Sequence, residues 1–150
     1  MKRIIGLVMF MLFAPTAESW AQCSVGVGAP VSFGTYLPLA AIRQTSVGSL
    51  TVGCSSFTGS YTISFDVGLY SGGSFSNRRM SSGSDDLLYQ LYTDAAYTTV
   101  WGDGSGGTVT VSGSCVGTCS ASYNVYGQVP ARQPASPGTY TDAITVTISF

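Results

Sequence analysis

Histidine is absent from the 150-residue chain, and its single lysine and single glutamate, Lys2 and Glu18, both precede the first cysteine. Each gap removes a class of chemistry. Without imidazole, a serine or cysteine nucleophile has no ordinary base to activate it. Metal sites usually recruit histidine or two close cysteine pairs, so zinc is disfavoured too. Without a lysine amine beyond residue 21, isopeptide cross-linking has no nucleophile, and any assembly has to be non-covalent or disulfide-linked. Positive charge is also scarce. Beyond residue 21, Arg43, Arg78, Arg79 and Arg132 face Asp66, Asp85, Asp86, Asp94, Asp103 and Asp142, so four arginines against six aspartates leave a net charge of −2. Nucleic acid, whose phosphates require a basic patch, is excluded as a partner. The apolar run Ile4 to Ala14 is shorter than the ~20 residues needed to span a bilayer, and no later segment competes with it.

What is present begins with an export signal. Lys2 and Arg3 precede that apolar run, and Ser19 and Ala21 occupy the small-residue positions where signal peptidase cuts. Residues 1–21 therefore read as a signal peptide and 22–150 as one exported domain, with no transmembrane segment left after cleavage. A chain of that size buries roughly two thirds of its unfolded surface around a single core. Low charge with abundant Gly, Ser, Thr and Tyr, and apolar residues at 45 %, fits an extracellular all-β domain rather than a disordered one.

Four cysteines in an exported chain point to two disulfides with three possible pairings. The preferred one joins Cys23 to Cys54 and Cys115 to Cys119. On the chain-entropy model the first bridge is worth roughly 3 to 4 kcal/mol and the second ~2 kcal/mol.

Strands show themselves by alternation between Gly, Ser, Pro and Asn clusters, and no helix is evident. Val25 and Val27, then Val31 and Phe33, mark a first strand interrupted near Ala29-Pro30. Leu50, Val52 and Cys54 mark a second, and Tyr61, Ile63, Phe65, Val67 and Leu69 the longest alternation of mid-chain. Leu87, Tyr89 and Leu91 follow, then a short strand at Val100-Trp101. Val109 and Val111, and then Tyr123, Val125 and Val129, lead to a terminal strand in which Ile144, Val146, Ile148 and Phe150 share one phase. Seven or more short strands predict an immunoglobulin-like β-sandwich. The terminal strand runs to the last residue with nothing after it to pair with, which predicts a sheet completed by another chain.

Catalytic groups are few. Asp85-Asp86 would point to opposite sides of a strand and reads as a turn after Ser84. Gly102-Asp103-Gly104-Ser105-Gly106-Gly107 leads into a strand rather than a helix, as a hairpin loop does and a phosphate loop does not. No enzyme and no cofactor are expected. Surface binding has more to work with: Phe75, Tyr97 and Trp101, with Tyr92, stand in or beside Gly-rich loops where aromatic rings grip carbohydrate or an apolar substratum, although large aromatics are usually core residues. Arg78 and Arg79 offer an acidic-ligand site, with one of the two expected to pack its stem on the sheet.

An ordered set of pieces spans nearly all of residues 22–150: Phe33-Gly34-x-Tyr36, Cys54, Arg79-Met80, Leu88-Tyr89-x-Leu91-Tyr92-x-Asp94, Val100-Trp101-Gly102-Asp103-Gly104, Val125-Tyr126-Gly127-x-Val129-Pro130 and Gly138-x-Tyr140-x-Asp142. In this set the chain resembles the spore coat protein U domain family, many of whose members are subunits of archaic chaperone–usher pili. The resemblance implies an immunoglobulin-like sandwich lacking its final strand. A periplasmic chaperone, and then at the outer-membrane usher a sibling subunit, would supply the strand by β-addition. Ile144, Val146, Ile148 and Phe150 would line or flank the acceptor groove. A closed sheet with an ordinary terminal strand is the alternative architecture.

Cleavage after Ala21 leaves only Gln22 ahead of Cys23, too short for a donor strand of at least about 5 to 6 residues. The expectation is a subunit that accepts a strand without giving one, at the tip of a cell-surface pilus, although the family's tip adhesins carry two such domains. The competing expectation is a free-standing secreted module that binds carbohydrate or surfaces.

Overall fold

The computed structural model describes residues 22–150; the signal-peptide reading of residues 1–21 lies outside it. Seven strands and one short 3₁₀ turn, Phe75–Asn77, make up the regular structure: β1 Gln22–Ala29, β2 Gln44–Phe65, β3 Arg79–Ser81, β4 Asp86–Leu88, β5 Gln90–Tyr92, β6 Val111–Val129 and β7 Val146–Ser149. The main sheet runs β1-β2-β6-β5, with β7 also pairing β2, and β3 pairs β4 in a second, two-stranded sheet. The five pairings between these strands are antiparallel.

Two expected pairs of strands are single long ones. Leu50–Cys54 and Tyr61–Phe65 belong to the 22-residue β2, and the Val111 and Tyr123–Val129 segments to the 19-residue β6. The Ser55-Ser56 and Gly59-Ser60 clusters look like turns in sequence. In the fold a β-bulge between Cys54 and Phe57 absorbs Ser55-Ser56, with Ser56 at φ 51°, and Gly59-Ser60 pair in register with Cys115 and Ser114. The bulge has a clear purpose. In β2 the core side chains occupy even positions through Leu50, Val52 and Cys54 and odd positions through Phe57, Tyr61, Ile63 and Phe65. The facing strand β6 keeps its inner side chains on odd positions throughout. One extra residue in β2 restores the phase, so both halves present their apolar side chains to one core.

The run expected to continue through Val67 and Leu69 stops at Phe65. Asp66 Oδ1 accepts from the Gly68 N–H at 3.0 Å, Gly68 takes φ 85°, and Leu69 is left exposed. Leu87, Tyr89 and Leu91 are all buried as one phase requires, but the strand changes sheets at Tyr89: β4 pairs β3, and β5 pairs β6. Trp101 stacks on Phe65 with ring centroids 4.3 Å apart and donates from Nε1 to the Ile63 carbonyl at 3.2 Å.

Both disulfides form in the preferred pairing, Cys23–Cys54 and Cys115–Cys119. Cys23 and Cys54 are direct register partners across β1 and β2. Cys115 and Cys119 lie 5.8 Å apart at Cα, where an extended strand would separate them by about 13 Å; β6 is kinked between them, at Gly117, φ 78°.

Candidate functional site

A cleft of about 1080 Å³ opens between the main sheet and the segments that cover it. Its floor is the core face of the sheet, with Leu50, Phe65, Leu91 and Val125. Its walls include Met80, Leu87 and the 135–142 segment. Val27 defines the opening. It stands opposite Leu50 in the β1–β2 register, so both side chains leave the sheet on the core side. Leu50 is 4 % exposed and Val27 is 68 % exposed. An inward-facing valine with no layer above it among the described residues marks a place in the core that residues 22–150 leave unfilled.

Of the four residues predicted for an acceptor groove, Ile144 and Val146 line the cleft. Ile148 packs half-buried against the core beyond it. Phe150 lies outside as well, 56 % exposed, with its ring edge-on to Phe57 at 5.5 Å. β7 pairs with the Thr62–Phe65 end of β2, so Ile148 and Phe150 stand beside the cleft rather than in its lining. The rest of the lining was overlooked in the sequence, although the inward phases of β1, β2 and β6 contained it.

The floor ends in a polar network. The buried Tyr89 hydroxyl donates to Asp142 Oδ2 at 2.6 Å, while Asp142 Oδ1 accepts from the Leu69 and Ala143 N–H groups at 2.9 and 2.8 Å. Burial, and then the hydrogen bond to Asp142, push the Tyr89 hydroxyl well above the usual tyrosine range. Asp66 mirrors the arrangement, with its Oδ1 accepting from the Thr145 N–H at 3.0 Å. These two carboxylates tie the end of β2 to the approach of β7 and so fix the wall that carries Ile144.

Arg78 is not a ligand site. Its side chain is fully buried, donating from Nη1 to Gln90 Oε1 at 2.9 Å and to the Trp101 carbonyl at 2.8 Å, and from Nη2 to the Asp66 carbonyl at 2.5 Å. The guanidinium also lies 5.1 Å from the Phe75 ring centroid. Burial lowers its pKa, opposed by the nearby Tyr89, Asp66, Asp142 and Asp103. Arg79 reaches the surface and pairs with Asp86 at 3.2 Å.

Two of the predicted surface aromatics are likewise corrected. Trp101, 1 % exposed, and Phe75, 9 % exposed, are core residues, because stacking on Phe65 and covering Arg78 bury their rings. Tyr97 remains half-buried at the surface with φ 60°, edge-on to Tyr92 and Tyr126, and with the Arg43 guanidinium 4.9 Å from its centroid.

The motif residues meet one another around this site. The Tyr36 hydroxyl donates to the Pro130 carbonyl at 2.9 Å and accepts from the Gln133 N–H at 2.8 Å. Asp85 Oδ2 accepts from the Ser136 N–H at 2.8 Å and from the Tyr140 hydroxyl at 3.4 Å, holding the 135–140 wall. Those hydrogen bonds keep the Asp85 carboxyl below its ordinary pKa.

Comparison with known proteins agrees with this arrangement. The Spore Coat Protein U domain model matches residues 9–147, and the chain belongs to that family. It is 34 % identical over 148 residues to Protein U of Myxococcus xanthus, covering 89 % of this chain and 80 % of that one. Among solved structures it is similar to a chain of the CsuC–CsuE chaperone–tip adhesion subunit pre-assembly complex from the archaic chaperone-usher Csu pili of Acinetobacter baumannii. That match has a TM-score of 0.61 and 26 % identity and covers 87 % of this chain. This chain spans 40 % of the length of that one. The fold is an all-β, immunoglobulin-like sandwich of the kind seen in chaperone–usher pilus subunits.

Proposed function

We propose that this protein is an exported structural or adhesive subunit of a chaperone–usher fibre, and that its cleft accepts a β-strand from another chain. The observation that carries the reading is Val27, an inward-facing core position 68 % exposed above an apolar cleft of about 1080 Å³. A donor strand laid along the cleft would alternate side chains into it. Four buried aliphatic side chains would contribute on the order of 6 to 12 kcal/mol before the cost of ordering the donor. A periplasmic chaperone would supply the strand first, and a sibling subunit at the outer-membrane usher would replace it. The Csu likeness supports these partners and also a place at the fibre tip, and the protein works by assembly rather than catalysis.

The test is addition of a peptide with alternating Val, Ile and Leu to the purified mature chain. Saturable binding with a rise in melting temperature is expected, and polar residues at the inward positions should abolish both. A chain that stays monomeric and stable, and whose melting no such peptide changes, would overturn the reading.

A second reading, a free-standing secreted module that binds carbohydrate or surfaces, is favoured by Tyr97. A non-glycine residue in the left-handed region is held there because Asp94 accepts from the N–H groups of Ala96, Thr98 and Thr99. Loss of glycan or surface retention in Tyr97→Ala, with peptide binding intact, would support it.

A further inference from the structure

The two disulfides lie beside each other. Cys54 is the direct register partner of Cys23 on one side, in β1, and of Cys119 on the other, in β6. Residues directly opposite on antiparallel strands stand about 4.5 to 5.5 Å apart at Cα, within the range a disulfide bridges. The Sγ atoms of Cys54, Cys115 and Cys119 all lie within 4.8 Å of one another. Cys23, Cys54 and Cys115 are buried and Cys119 is half-buried, so Cys119 is the sulfur an external thiol reaches most readily. Cys54 therefore has two cross-strand partners in register, Cys23, to which it is joined, and Cys119, which is joined to Cys115.

We propose that the two bridges form a thiol–disulfide relay in which opening of Cys115–Cys119 transfers the Cys54 bond from Cys23 to Cys119. A dithiol reductant attacks the Cys119 sulfur and Cys115 leaves as a thiol. The reductant's second thiol then closes on its first, giving an oxidised reductant and a free Cys119. The Cys119 thiolate attacks Cys54 Sγ, the Cys54–Cys119 bond forms, and Cys23 leaves and takes up a proton. Two electrons enter in total, and the chain ends with one disulfide and two thiols, at Cys23 and Cys115. The consequence is mechanical. β1, which carries Val27 at the opening of the cleft, loses its covalent tie to β2 and is held by backbone pairing with Ser49–Ser55. The relay depends only on sulfur geometry and stands whether or not the cleft takes a strand.

The variant Cys115→Ser tests it on the exported mature chain without added reductant, because it leaves one thiol per chain. The free thiol is alkylated under native conditions, the chain is digested without reduction, and the bridged peptides are identified by mass spectrometry. The expected result is loss of the Cys23–Cys54 peptide, appearance of a Cys54–Cys119 peptide, and the label on Cys23. In the double variant Cys115→Ser/Cys119→Ser the Cys23–Cys54 bridge should persist and no label enter. A label confined to Cys119 with the Cys23–Cys54 bridge intact would overturn the proposal. Wild-type chain treated with limiting dithiothreitol gives a second reading: a Cys54–Cys119 peptide with labelled Cys23 and Cys115 supports the relay. Labelled Cys115 and Cys119 beside an intact Cys23–Cys54 bridge refutes it.

Discussion

Val27 and Leu50 face each other across β1 and β2 on the core side of the sheet, yet 68 % of one is exposed against 4 % of the other. The two positions are equivalent in register and unequal in cover. Substitution should separate them. Leu50→Ala removes packed atoms and is expected to cost about 2 to 5 kcal/mol in urea denaturation. Val27→Ser removes atoms with little around them and should change stability by less than about 0.5 kcal/mol. In a titration with a strand peptide the order changes: Val27→Ser should weaken binding about tenfold, the equivalent of ~1.4 kcal/mol. Equal loss of stability in the two variants would mean that Val27 is already covered.

Arg78 makes a different kind of claim on the core. The Trp101 and Asp66 carbonyls each accept from the Arg78 guanidinium, and Gln90 Oε1 accepts from it beside the Leu91 N–H. Removing it strands buried oxygens, each an expense of about 1 to 3 kcal/mol. Arg78→Ala should therefore destabilise the fold by about 3 to 5 kcal/mol. Arg78→Lys should recover only part of this, since an ammonium lacks the planar fork that spans the acceptors. Chemical denaturation of the two variants measures the difference, and a lysine variant as stable as wild type would show that charge alone suffices.

Why some of this was legible in the sequence and some was not has a physical reason. Alternation reports which residues of a strand share a face, and the phase that marks Leu50, Val52, Ile63 and Val125 is the one the fold buries. Alternation does not report whether the facing layer exists, so Val27 looked like any other core valine. Ser55, Ser56, Gly59 and Ser60 carry turn chemistry, and a bulge uses the same residues as a turn; only the pairing with β6 distinguishes them. Trp101 and Phe75 stand beside Gly-rich loops; the burial of Trp101 follows from Phe65, distant in the chain, and that of Phe75 from a neighbouring Arg78 that Gln90 and the Trp101 and Asp66 carbonyls hold inside. The disulfide pairing was accessible because each Cys pair is close in sequence or on adjoining strands.

Tyr89 and Tyr123, with Tyr92 raised by burial as well, set the behaviour at high pH. Tyr89 is raised by burial and by its hydrogen bond to Asp142. Tyr123 is pushed up to about 12 by desolvation and by its hydroxyl contact with Tyr61 at 2.7 Å. In the unfolded chain both ionise near pH 10. Below that pH both states keep the proton and stability does not depend on it; above it the unfolded chain loses protons that the folded chain retains, so stability falls. Denaturation midpoints should be level through neutral pH and decline from about pH 10 upward, a range that follows from the ordinary tyrosine value. Tyr89→Phe should flatten the decline even though it costs stability at pH 7 by leaving Asp142 short of a donor. An unchanged alkaline slope in that variant would show that Tyr89 does not govern it.

Gly127 shows how the motif pieces depend on one another. It sits on the inner phase of β6, opposite Ser46 in β2 and Leu91 in β5. A Cβ there would meet Val31 Cγ1 at 2.5 Å and Phe33 Cζ at 2.8 Å, and both of those residues line the cleft. The segment carrying Val31 and Phe33 thus lies directly on the β6 backbone, and only hydrogen at position 127 permits the approach. Gly127→Ala should cost about 1 to 3 kcal/mol through overpacking. Because the clash is with particular atoms, it should be relieved by shortening one of them: in a Val31→Ala background the same substitution should cost at least about 0.5 kcal/mol less, a coupling that residues in contact show and distant ones do not. Urea denaturation of the four chains closes the cycle. Strict additivity would mean that β6 itself shifts to accommodate the methyl group, and that the covering segment is not what holds Gly127 in place.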